Sequence, residues 1–268
     1  MPTDLRPAAV AGTFYPASPR DLGARVDALL HEAAASARPA ALRQPKALIV
    51  PHAGYEYSGP VAASAYARLL PFADRIHRVV LLGPSHRVYL SGLALPEAAA
   101  FATPLGAVPL DAGAAALVPG VPRIARPHAR EHALEVELPF LVRVLPRFSL
   151  VPIVVGDAEP EEVAAVLDAL WDGPETLIVI SSDLSHYLPY AEARRVDQET
   201  ANRIAALSEV PLHHEQACGA TPVNGLILAA RRRGLQPELL DLRSSGDTEG
   251  MRDQVVGYAA FAFHEDPV

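Results

Sequence analysis

The chain has 268 residues, half of them hydrophobic, and a net charge of -8. That much apolar sequence can bury a large core without cross-links, and the lone cysteine, Cys218, excludes an internal disulfide, as in a reducing compartment. An acidic chain whose only tight basic cluster is Arg231, Arg232 and Arg233 argues against nucleic acid as a partner.

The first 19 residues, with four prolines, read as an irregular arm that packs on the body through Phe14 and Tyr15. Leu22, Val26, Leu29 and Leu30 have helical spacing over 20–36, with Ser18 or Asp21 as the N-cap. The unbroken apolar run at 46–51 predicts a strand buried on both faces, and Pro60 opens a helix over 60–70. A strand at 77–82 follows, then a looser stretch over 88–127 with short strands at SGLAL and AVPL. A helix over 131–145, a strand at 149–155, a helix over 159–171 and a strand at 176–181 continue the alternation. Helices over 191–207 and 222–234, a strand at 237–242 and a last strand, VVGYAAFAF, complete it. Alternation of this kind predicts a single α/β domain around a mixed, largely parallel sheet covered by helices. No apolar run reaches the ~20 residues a bilayer crossing needs, and MPTDLRPAAVAGTFYP lacks a signal pattern. The expectation is a cytoplasmic protein without a membrane partner.

Three of the strands deliver a histidine just past their carboxyl ends: KALIVP leads to His52, RVVLLGPS to His86 and TLIVISSDLS to His186. Ligands of open α/β sheets gather at that edge, and several imidazoles at one edge suit a metal. Each histidine taken alone is as readily a loop residue. Asp183 lies three residues before His186, where a carboxylate on one ring nitrogen would orient the other. The bland alternative is that Asp183 or Ser185 caps the next helix. Cys218 precedes a helix, a place that lowers a thiol pKa, although free cysteine is also a common core residue. The stretch RPHAREHALEVELPF reads as an amphipathic helix whose polar end borders the site, with Glu135 or His132 as supports. Walker A, GxGxxG, GxSxG, HExxH and CxxC patterns are all absent.

PHAGY with His52, GPSH with His86, EHALEVELPF, SSDLSHY with Asp183 and His186, and Cys218-Gly219 together resemble the Memo family, in the family's order. Bacterial and archaeal members are called AmmeMemoRadiSam system protein B. The resemblance implies a fold related to class III extradiol dioxygenases and a non-haem iron centre. It assigns His52, His86 and Cys218 as metal ligands, His186 as the acid–base histidine and Asp183 as its neighbour. Fe(II) is the metal it implies, with Cu or Zn as other occupants, and AMMECR1-type and radical SAM proteins are the implied partners.

Three readings follow. An iron-dependent oxygenase or oxidase would use two imidazoles and one anion, leaving coordination positions for oxygen and substrate. A binding module on the same fold would take a peptide or small molecule in the crevice. A thiol hydrolase would use Cys218 as nucleophile, His186 as base and Asp183 as orienter, leaving His52 and His86 without a role.

Overall fold

The computed structural model describes residues 5–36 and 43–265. The chain opens with β1 (Leu5–Arg6) and α1 (Pro19–Ser36), where Ser18 Oγ accepts the Asp21 N–H at 3.3 Å as a helix-start cap. Next come β2 (Ala47–Val50), α2 (Gly59–Tyr66) and β3 (Arg78–Pro84). The helix expected to reach residue 70 tightens to a 3₁₀ coil over Ala67–Arg75 that holds Pro71. Then follow β4 (Leu93–Ala94), β5 (Ala100–Thr103), β6 (Gly106–Pro109), α3 (Ala112–Ala115) and α4 (Ala125–Ala129). After α5 (Leu138–Val144) come β7 (Ser149–Val155), α6 (Pro160–Leu170), β8 (Thr176–Ser181) and β9 (His186–Leu188). The chain ends in α7 (Tyr190–Ala205), α8 (Ala220–Arg233), β10 (Gln236–Ser244) and β11 (Val255–His264).

The main sheet has the order β10-β11-β2-β8-β3-β7-β4, with β9 added on β11. Its centre, β2-β8-β3-β7, is parallel, while β11 runs antiparallel to β2 and β10, and β4 runs antiparallel to β7. This is the expected mixed, largely parallel α/β sheet. Alternation along each strand divides the core. Leu48, Val50, Val79, Leu81, Leu177 and Val179 face a cluster with α1, α2 and α5. Ile49, Val80, Leu82, Ile178 and Ile180 face one with α6 and α8. Each such side chain, fully removed from water, contributes roughly 1.5–3 kcal/mol. Truncating Ile178 or Leu81 would remove that and leave a cavity.

The helix expected over 131–145 is a correction. Residues 131–137 form turns and helix begins only at Leu138. Glu131 Oε1 accepts the N–H groups of His132 and Ala133, so its side chain caps the backbone locally and competes with helix. Pro139 then suits a helix start. Glu131 and Glu135 therefore do not share a helix face. The small sheet β1-β5-β6 was only partly expected: AVPL is β6, while β1 and β5 carry no strong strand signal.

Candidate metal centre

Strands β2, β8 and β3 are parallel neighbours, so their carboxyl ends open on one edge. His52 follows β2 and His86 follows β3, and Asp183 and His186 follow β8. The 131–137 turns cross that edge because Gly83 lets them approach. A Cβ at Gly83 would meet Leu134 at 3.0 Å, Ala133 at 3.2 Å and Ser181 at 3.4 Å. The turns bring His132 into the group. One nitrogen each from His52, His86 and His132 lies within 4.8 Å of the others. Ring centroids are 5.1 Å apart for His52–His86, 5.4 Å for His52–His132 and 4.7 Å for His86–His132.

Hydrogen-bond partners set the tautomers. The Ser181 hydroxyl donates to the Ala133 carbonyl (2.7 Å) or Glu137 Oε1 (3.0 Å), so its oxygen accepts from His52 Nδ1–H at 2.6 Å. His86 Nδ1–H donates to Glu131 Oε1 at 2.9 Å, and His186 Nδ1–H donates to the Leu184 carbonyl at 2.9 Å. Each of these rings therefore keeps an Nε2 lone pair for a metal or a proton. His132 Nδ1 is buried without a hydrogen-bond partner; it lies 3.2 Å from Glu131 Oε1 but is misaligned for a bond. A buried imidazole nitrogen without a partner has a site for one more bond.

The acids divide into two kinds. Burial opposes the Glu131 carboxylate, but contacts with His132 and His86 and the Ala133 N–H outweigh it and hold its carboxyl well below the usual range. Glu137 is fully buried and burial raises it well above that range, although Tyr66 Oη and Ser181 Oγ donate to it. Asp183 is also raised, chiefly by burial; its Oδ1 accepts the His52 N–H at 2.8 Å. His52 is held neutral, first by burial and then by His86 and His132. A neutral imidazole is the form that ligates.

Cys218 approaches through Gly219, where a Cβ would meet Ser182 Cβ at 2.7 Å. Its Sγ lies 3.4 Å from His52 Nε2 and accepts the Asp183 N–H at 3.3 Å, outside the trio of mutually close donors. The expected helix-lowered thiol is a correction: burial and then Asp183 push the Cys218 thiol up. The contacts also give no hydrolase triad, because Cys218 meets His52 and the orienting acceptor on His186 is Leu184, not Asp183.

The residues fit a metal ion on the chemistry of the donors. His52, His86 and His132 would hold it, with Cys218 beside them, and the Ser181 and Glu131 contacts fix the rings from behind.

The model of the Memo-like protein family matches residues 6–262. The chain belongs to the Memo family. A MEMO1 family protein of Methanopyrus kandleri is 36% identical, with 96% of this chain and 98% of that protein aligned. One from Aquifex aeolicus is also 36% identical, over 97% and 99%, and one from Methanothermobacter thermautotrophicus is 34% identical, over 95% and 99%. A crystal structure of an uncharacterized Escherichia coli K12 protein shares the fold, with a TM-score of 0.52 at 13% identity over 81% of this chain and 99% of that one.

Set against the sequence reading, His52, His86, Cys218, Asp183 and His186 all come to the same sheet edge. Sequence reasoning placed His132 as a support, whereas it stands in the donor trio. It also offered Glu135 as a support, whereas Glu135 binds the N-terminal arm. The signal for His132 was its neighbour: a glutamate able to cap its own backbone turns the next side chain toward the edge instead of continuing a helix.

Proposed function

We propose that this Memo family chain binds one first-row transition metal ion and carries out redox chemistry on a small molecule or peptide in the crevice. The observation that carries this is the convergence of His52, His86 and His132 donor nitrogens within 4.8 Å, with Cys218 Sγ against His52. Fe(II) is the proposed metal, and when bound it would supply coordination positions for oxygen and substrate. Cys218 would give the site its anionic ligand once the metal displaces the thiol proton. His186, its Nδ1–H tied to Leu184, would present Nε2 to move a proton at the substrate. No helix among the described residues is long and apolar enough to cross a membrane. The proposed setting is cytoplasmic, from the sequence pattern, and the proposed partners are AMMECR1-type and radical SAM proteins, which rest on the family resemblance and are tested by co-purification.

The deciding experiment is anaerobic purification with metal analysis of the intact chain and of His52→Ala, His132→Ala and Cys218→Ser. Stoichiometric iron that His52→Ala abolishes supports the proposal, and a chain that binds no metal overturns it. Affinity that falls with pH in the intact chain and less steeply in Cys218→Ser identifies a thiolate ligand. A second reading, a metal- or peptide-binding module without turnover, is favoured by the absence of a carboxylate from the trio. Oxygen uptake by the iron-loaded chain separates the two.

A further inference from the structure

The N-terminal arm makes contacts that simple packing does not require. Arg6 is buried in β1, which pairs with β5. Its guanidinium donates to three acceptors on α4 and the turns that follow it: the His128 carbonyl at 2.9 Å, the Glu131 carbonyl and the Glu135 carboxylate. Glu135 is itself wholly buried and returns the contact. Its Oε2 accepts the Ala9 N–H at 2.7 Å, and its Oε1 accepts the Val10 N–H at 2.9 Å and the Tyr15 hydroxyl at 2.6 Å. The arm thus grips the backbone on both sides of His132. Phe14, at the tip, lies against the His132 ring with centroids 4.8 Å apart. The Phe14 carbonyl also accepts the Tyr55 N–H at 2.8 Å, in the loop that carries His52. Two loops that each deliver a metal-site histidine are therefore tied to one another through residues 6–15.

A buried arginine is expensive to desolvate, and truncating it takes the guanidinium donors from the His128 and Glu131 carbonyls and leaves the Glu135 carboxylate without its counter-charge. A network of this kind fixes geometry more than it adds net stability. Aromatic contact with an imidazole ring restricts its rotation, which matters most for His132, whose Nδ1 has no hydrogen bond to orient it.

We propose that the N-terminal arm is a clamp on the metal centre: Phe14, held by the Arg6–Glu135 network, is a positioning residue that sets His132 relative to His52. The inference rests on the proposed metal reading. It assigns a role to a segment outside the ligand set and predicts that metal affinity depends on residues that touch no metal.

The test is a titration of the metal-free full chain with Co(II), read by visible absorption under a competing chelator, for the unaltered chain, Phe14→Ala, His132→Ala, the double variant and Arg6→Lys. Phe14→Ala is expected to weaken Co(II) binding by about tenfold, within the ~10–100-fold range of residues that orient ligands. The double variant is expected to bind as His132→Ala does alone, because the arm acts through that ring. A merely structural role would lower the melting temperature and leave affinity unchanged. Phe14→Ala binding within about twofold of the unaltered chain overturns the clamp, as does a Phe14→Ala loss that persists in full without His132. If His132→Ala itself binds Co(II) unchanged, His132 is not a ligand and the clamp falls, whereas the metal reading falls only if the unaltered chain binds no Co(II). Phe14 is only half-buried, so its truncation decides the question even if Arg6→Lys fails to fold.

Discussion

The two edges of the parallel sheet treat polar groups in opposite ways. At the amino edge, Lys46 precedes β2 and is 4% exposed. Its ammonium lies among the carbonyls of Trp171 (2.6 Å), Asp172 (3.0 Å), Gly173 (2.8 Å) and Thr176 (2.9 Å). Three N–H donors meet four acceptors, so no donor is left over. At the carboxyl edge, His132 Nδ1 has no hydrogen-bond partner, His86 and His186 each keep an Nε2 lone pair, and that of His52 faces only the Cys218 sulfur at 3.4 Å. A buried ionisable group is therefore not itself the mark of a site. Several unused hydrogen-bonding or coordinating groups brought together at one point are, and here they gather at the edge where ligands bind.

Lys46→Met should show the largest effect. It keeps the stem and removes every ammonium donor from the buried carbonyls of the α6–β8 connection, of which Gly173 keeps the Thr176 N–H. A loss of about 3–5 kcal/mol is expected, read as a lower urea midpoint. A loss below about 1 kcal/mol would mean that water replaces the ammonium and that this edge is no more closed than the other.

At the opposite edge the same kind of change should leave folding nearly intact and abolish binding. His86→Ala removes a side chain that is 27% exposed, and Glu131 keeps the N–H groups of residues 86, 132 and 133. Metal affinity should drop by more than about 100-fold, beyond the range for orienting residues, while the metal-free melting temperature moves by a few degrees at most. A large loss of metal-free stability would place His86 with Lys46, as a structural group.

Much of this was legible in the sequence, for a definite reason. The apolar runs at 46–51, 77–82 and 176–181 predict buried strands, and parallel neighbours end on the same edge. The placement of His52, His86 and His186 follows from that. The 131–137 turns were not legible, since Leu134, Leu138 and Leu141 have helical spacing and only the Glu131 bonds to its own backbone break the helix. The arm was equally hidden. Arg6 and Glu135 are 129 residues apart, and no local pattern announces an ion pair across that separation.

A smaller effect concerns a buried acid behind the site. Asp197 on α7 accepts the Ser185 N–H at 3.0 Å, and burial raises its pKa to about 6. The folded state then holds a proton that the unfolded state has released, so stability from this group is present at low pH and is lost as pH rises from about 4 to about 6. The gap of about two pH units corresponds to about 3 kcal/mol. Asp197→Asn keeps an acceptor for Ser185 and cannot ionise. It should be more stable than the unaltered chain at pH 8 and closely matched at pH 4. An unchanged difference across that window would mean that Asp197 is solvated in the folded state and belongs to neither edge's pattern.

The smallest expected effect tests whether the functional edge also carries backbone strain. Tyr187, directly after His186, has φ of 59°, the left-handed region that costs a non-glycine residue roughly 1–2 kcal/mol. It is held there by the pairing of β9 with β11, while its side chain is 69% exposed and its ring sits edge-on to His186 at 5.8 Å. Little burial offsets the strain. Tyr187→Gly removes that strain but adds chain entropy to the unfolded state, so a net gain of about 0.5–1 kcal/mol is expected, or roughly 2 °C in melting temperature. A gain of that size accompanied by weaker turnover or ligand binding would mean that the strain is kept for the ring's place beside His186. A loss of stability would mean that the ring makes contacts worth more than the strain, and Tyr187 would then belong with the packing of β9 rather than with the open edge.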